Sequence, residues 1–192
     1  MKGQTSPMRI SFSGAVRWLV PLLAAGVLAG CSMFQNTPQL PCPRVSVLKD
    51  ASLATQFRQG GGRDLTDVAY EAELEQGALG CTYERDQSAV TVTTAVRVLA
   101  VRGPALQTND VTLVYFVAVV DKEQNIVGRE RFQAQLNFAQ GQRRSGSVEE
   151  IEQVIPIRQG LRGFDYEVLV GFELQQDQLQ YNRERDSGRL LR

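Results

Sequence analysis

The chain should fold as an all-β protein, an antiparallel β-sandwich of immunoglobulin- or fibronectin-like architecture with about seven strands and a short C-terminal helix. Three observations predict this. Apolar residues recur with a period of two, most clearly in Val90, Val92, Thr94, Val96, Val98 and Ala100, which is the pattern of a strand with one buried face. Gly, Pro, Asn and Asp interrupt these runs every ten to fifteen residues or so, the spacing of turns in a sandwich. No segment sustains a 3.6-residue apolar period. A closed up-and-down barrel is the alternative. Residues 111–120 (VTLVYFVAVV) are apolar on both faces, which suits a sandwich core better than a hollow lumen.

The elements follow in order. Residues 44–48 (RVSVL) form a short alternating strand with Val45 and Val47 on one face. Residues 50–57 (DASLATQF) are expected to make a helical turn capped by Asp50. Residues 59–64, with Gly60, Gly61 and Gly62, form a flexible connection. Residues 68–74 (VAYEAEL) are a half-buried strand, and residues 80–84 its partner after a Gly-containing turn. Residues 89–101 are the longest β-branched run, stopped by Gly103-Pro104. Residues 111–120 and 126–138 form a β-hairpin across the polar loop 121–125, with a bulge at Gly128. After a loop at 141–146 come residues 148–157, less regular and marked by Pro156 as an edge strand or a strand end, and residues 164–174, where Phe164, Tyr166, Val168, Val170 and Phe172 alternate. Residues 175–192 have the composition of a short surface helix and a frayed tail.

Composition narrows the function. The 192 residues hold 21 basic and 21 acidic side chains and no histidine. Without a charge excess there is no electrostatic case for nucleic acid as a partner. Without histidine there is no Ser-His-Asp triad, Cys-His dyad or HExxH zinc site. No cofactor is expected. Gly60-Gly61-Gly62-Arg63-Asp64 lacks the GxxxxGK[ST] and GxGxxG spacings of phosphate cradles. Glu149, Glu150 and Glu152 offer paired carboxylates, but Glu150 and Glu152 share a strand face that solvent would cover, and no nucleophile accompanies them. The protein is not expected to be an enzyme.

The N-terminus reads as an address. Lys2, Arg9 and Arg17 are the only charges before an apolar run over residues 18–29. That run is shorter than the roughly 20 residues a transmembrane helix needs, and its flanks are those of a signal peptide. Met8, followed by Arg9, is an alternative start. Leu28-Ala29-Gly30-Cys31 closes the run and resembles the lipobox of bacterial lipoproteins. The resemblance implies cleavage before Cys31, a diacylglycerol on its thiol, and a further acyl chain such as palmitate on its new amino group. Several chains would hold the protein to the membrane firmly, since a single one binds only marginally. Ser32 stands where that family carries an aspartate for inner-membrane retention, which implies delivery to the outer membrane with the domain facing the periplasm.

The expected organisation is therefore a signal peptide over 1–30, a lipidated Pro-rich tether over 31–43, the sandwich over 44–176 and a helix with tail over 177–192. Removal of residues 1–30 leaves 18 basic side chains against 21 acidic, so no polybasic lipid-binding patch is implied. With Cys31 lipidated, Cys42 and Cys81 remain. An even count in an oxidising compartment favours a disulfide. Metal ligation is the competing reading, and two cysteines 39 residues apart without histidine match no zinc spacing.

From Cys42 to about Tyr181 the chain resembles small proteobacterial envelope lipoproteins of unassigned function, through CPRVSVL, RVLAVRGP, VYFVAVVD and DYEVLVGF. The expected function is a non-catalytic outer-membrane scaffold that binds other envelope proteins, with β-barrel assembly as the fold-level analogy. The alternative is a glycan- or lipid-binding module, which would display exposed aromatics. Arg143 and Arg144, in the 141–146 loop beside the edge strand, are the candidate contact for an acidic partner.

Overall fold

The computed structural model describes residues 40–187. The expected signal peptide, the lipobox-like segment with Cys31, the expected tether up to residue 39 and the residues 188–192 lie outside the described residues. Eight strands and one α-helix make up the rest: β1 (Arg44–Val47), β2 (Leu53–Phe57), β3 (Val68–Tyr83), β4 (Ala89–Arg102), β5 (Asp110–Val120), β6 (Ile126–Asn137), β7 (Arg144–Pro156), β8 (Glu167–Phe172) and α1 (Gln176–Asp186).

The strands form two four-stranded sheets packed as a sandwich, in the orders β1-β8-β5-β6 and β2-β3-β4-β7. The antiparallel β-sandwich expected from the alternation is the fold. Its connectivity is its own: β2, β3 and β4 form a meander, and β1 runs parallel to β8 as the one parallel pairing in the two sheets. Val90, Val92, Val96 and Val98 of β4 face Tyr115 and Val117 of β5 and Val168 and Val170 of β8 across the core, all at most 2% exposed. Each such side chain contributes about 1.5–3 kcal/mol relative to exposure. The β5–β6 hairpin forms with its bulge, the register slipping at Val127 between Gly128 and Ile126.

Four local expectations are corrected. Residues 50–57 are not a helical turn capped by Asp50. A single 3₁₀ turn spans Lys49–Ala51 and Leu53–Phe57 is a strand, because pairing with β3 outweighs the weak local helix preference of the segment. Residues 80–84 are not a separate strand but the end of β3, which runs unbroken to Tyr83. The register shifts between Gln76 and Leu79. This bulge switches phase, so that even-numbered Ala72 and Leu74 and odd-numbered Cys81 and Tyr83 all pack against one core.

The third correction concerns the 141–146 loop. It is shorter than expected, with a turn closed by Gln142 N–H to the Ala139 carbonyl and strand from Arg144 onward. β4 extends to Arg102 and recruits Arg144, Ser145 and Gly146 as its partners. Gly146 suits that place because a Cβ there would lie 2.8 Å from Leu99 Cδ2. Last, the Gly60–Gly62 connection is tied down and not free. Arg58 and Asp67 form an ion pair across its neck at 2.5 Å, and Gly62 N–H donates to Asp67 Oδ2 at 2.9 Å.

Residues just before β1 are tied to the sandwich. Cys42 and Cys81 are bridged, with Cα atoms 5.6 Å apart, and Tyr83 Oη donates to the Pro41 carbonyl at 2.5 Å. The bridge thus fastens the chain just before β1 to the middle of the opposite sheet.

Candidate functional site

A sandwich of two open sheets has four edges, and an edge strand carries unpaired backbone N–H and C=O groups that can pair with another chain. The four edges here are treated differently. β1 is only four residues long. β6 is interrupted by the bulge at Val127 and carries Arg129, Glu130 and Arg131, with both arginines on Glu173 of β8's exit at 2.6 and 3.1 Å. Charge and a bulge are two common guards on an edge.

β2 is covered by α1. Gln178 Nε2 donates to the Thr55 carbonyl at 3.4 Å, and Asn182 Nδ2 donates to the Leu53 and Asp50 carbonyls at 2.8 and 3.0 Å. Gln178 and Asn182 are four apart, hence on one helix face, and their amides meet the carbonyls that a further strand would otherwise take. Phe57 and Tyr181 meet edge to face, and Arg183–Asp50 and Arg63–Asp177 close the seam, each at 2.7 Å. The expected surface helix is therefore an edge cover, docked through amides more than through an apolar stripe.

β7 has no such cover. It spans thirteen residues without a bulge. Its pairing with β4 is fixed at both ends, by Arg102 N–H to the Arg143 carbonyl and by Ile157 N–H to the Ser88 carbonyl, each at 2.8 Å. In an antiparallel ladder, residues alternate between bonding one neighbour and the other. Odd-numbered residues of β7 thus bond β4. Arg144, Gly146, Val148, Glu150, Glu152 and Val154 turn their N–H and C=O groups away from the sheet. The same six lie on the outer face, since the odd-numbered Ile151 and Ile155 are buried. Val148 is 67% and Val154 62% exposed.

The predicted site residues fall at the start of this edge. Arg143 lies between the turn and the strand, its carbonyl accepting from Arg102 N–H, and Arg144 opens the strand opposite Val101. Both are exposed, and among the described residues neither forms an ion pair. Arg144 also borders a cleft of about 430 Å³ on the outer face, floored by Leu53, Leu99 and Val101 and flanked by Glu71, Glu73 and Arg185. Glu150 and Glu152 are solvated on the outer face as expected, whereas Glu149 points inward. Ser147 Oγ donates to it at 2.5 Å. Burial, and then the nearby Glu149 charge, push the Tyr115 hydroxyl up to about 12.

Among the described residues no cluster of His, Cys, Asp or Glu is arranged to hold a metal. No described helix is long and apolar enough to cross a membrane. Every aromatic side chain of residues 40–187 is buried or half-buried.

No protein-family model matches this chain, and no curated protein does. Among solved structures, the variable (V) domain of the AgI/II polypeptide BspA of Streptococcus agalactiae is similar at 12% identity, covering 85% of this chain and 93% of that one, with a TM-score of 0.19. A likeness at that score supports no conclusion about fold or function here.

Proposed function

We propose that this protein is an outer-membrane lipoprotein, anchored through Cys31, whose sandwich is a non-catalytic module that contacts other envelope proteins along β7. The observation that carries the reading is the contrast between two edges of one sheet: β2 is capped by Gln178 and Asn182, while β7 leaves the backbone of six outward residues without a strand partner, the Glu152 carbonyl accepting only from the neighbouring Gln153 Nε2 at 3.1 Å. Main-chain pairing supplies affinity in strand-addition complexes, and the side chains of alternate residues supply specificity. Here those side chains are Arg144, Val148, Glu150, Glu152 and Val154. Arg143 and Arg144 supply the positive charge at the entrance.

The test is a crosslinking pull-down of the full chain from native membranes, compared with the Arg143→Glu, Arg144→Glu double variant. Loss of partner recovery with a melting temperature nearly unchanged supports the reading, because solvated charges contribute little to stability. Equal recovery from both proteins would place the interface elsewhere.

A further inference from the structure

We propose that the occupant of the β7 edge is a second copy of this chain, paired antiparallel about a two-fold axis at Val148. The inference rests on the reading that β7 is the contact strand, and it puts a second copy, in place of another envelope protein, on that edge. When a strand pairs with its own copy, residues equidistant from the axis oppose each other. An axis at Val148 sets Val148 against Val148 of the second copy, Gly146 against Glu150, and Arg144 against Glu152. All of these belong to the set whose N–H and C=O groups point away from β4, so each opposed pair exchanges two backbone hydrogen bonds.

The side chains agree with this register. Arg144 of one copy lies opposite Glu152 of the other and diagonal to Glu150, and the symmetry makes the contact twice. Opposite charges across strands attract, and like charges directly opposed destabilise the pair. Val148, 67% exposed in the single chain, gains an apolar neighbour. On the inner face Ser147 meets Glu149 of the second copy, matching the hydrogen bond these residues already make within one chain. Gly146 leaves room beside Glu150.

Neighbouring registers fit less well. An axis at Glu149 or at Glu150 sets glutamate against glutamate. An axis at Ser147 opposes Arg144 with Glu150 but loses the Val148 pair and leaves Glu152 facing Gln142. The Val148 register alone matches both exposed charge and exposed apolar surface. Pairing in this way would continue β2-β3-β4-β7 into one sheet across both copies, with α1 sealing each outer end at β2.

The experiment uses the full chain extracted in mild detergent. Val148→Cys should give a covalent dimer on mild oxidation with diamide, because opposed Cα atoms lie about 5.5 Å apart. Val154→Cys, equally exposed on the same edge, should not. In this register the two Val154 positions are twelve residues out of phase, roughly 40 Å. Arg144→Glu and Glu152→Arg should each weaken the dimer at least tenfold by sedimentation, and the two together in one chain should restore it.

Equal crosslinking at 148 and 154, or a double variant no better than the singles, overturns the inference. A wild type that is monomeric yet recovers an envelope protein in an Arg144-dependent way overturns self-pairing and leaves the proposed function standing. A dimer rescued by the charge swap supports self-pairing even where no other envelope protein is recovered.

Discussion

Asn182 of α1 donates its amide to the carbonyl of Leu53, 129 residues earlier in the chain, at 2.8 Å. The contact converts an open sheet edge into a closed one, and it does so with a side chain that is only 4% exposed. An edge carbonyl left dry and unpaired costs about 1–3 kcal/mol. Asn182→Leu keeps the volume and removes both donors, so it should lower stability by an amount of that order in urea melts. Asn182→Ser, which retains one donor, should lose less. Equal losses would mean that packing, and not the amide, holds the helix down.

The cysteines give a second prediction. A bridge closing a segment of 39-residue separation stabilises by roughly 3–4 kcal/mol in the chain-entropy model. Cys42→Ala with Cys81→Ala should therefore reduce the free energy of unfolding by about that much. Thiol titration of the denatured, unreduced full chain should find no reactive thiol, since the third cysteine, Cys31, is proposed to carry lipid. One reactive thiol would point to an unmodified Cys31, and three to an unbridged pair as well. Palmitate labelling that Cys31→Ser abolishes, and that globomycin shifts onto an uncleaved precursor, checks the anchor independently.

The strands that fill the core were legible because their burial is local: Val90 to Ala100 and Phe132 to Phe138 alternate regardless of what they pair with. The misread segments are those whose state is set by a distant partner. Thr55 is in a strand because Glu71 lies beside it, and Ser145 because Ala100 does. Gly77 reads as a turn and is a bulge, since the unbroken length of β4 carries β3 past it. At the site, Pro156 and the run of glutamates identified β7 as an edge. That the other edge of its sheet is closed depends on Gln178 and Asn182 reaching back more than 120 residues, which no local pattern announces.

Asp121 should shape the acid limb of stability. It is buried at the start of the hairpin loop and accepts from the Asn125 and Glu123 backbone N–H groups at 2.9 and 3.1 Å. The Asn125 backbone N–H is the main cause holding its carboxyl below the ordinary 3.8, against the opposing effect of burial, with the Asn125 amide, Glu123 and Arg158 adding to it. A folded-state value below the unfolded one means that stabilisation is present above pH 3.8 and is lost as pH falls through the lowered value. Asp121→Asn should depress the melting temperature at pH 7 and narrow the difference between pH 7 and pH 3. An unchanged acid profile would show that the loop holds without the charge.

Tyr115 should govern the alkaline limb, with the opposite sign. Its ring is stacked on Phe132 with centroids 5.5 Å apart, and burial, then Glu149, raise its hydroxyl from 10 to about 12. A raised value means that the folded chain keeps a proton the unfolded chain releases. The stabilisation is complete below pH 10 and declines as pH rises toward 12. Tyr70 and Tyr83 are raised in the same direction by burial, so the wild type should lose stability steeply over this window. Tyr115→Phe keeps the ring and removes the titrating group, and should flatten that loss more than Tyr83→Phe, whose hydroxyl donates to the Pro41 carbonyl and whose removal costs a bond at every pH. Glu149→Gln should lower the Tyr115 value and shift the onset of ionisation, read by ultraviolet absorbance at high pH, to lower pH. If Glu149→Gln leaves that onset in place, the inward carboxylate does not reach the tyrosine and burial alone sets its proton.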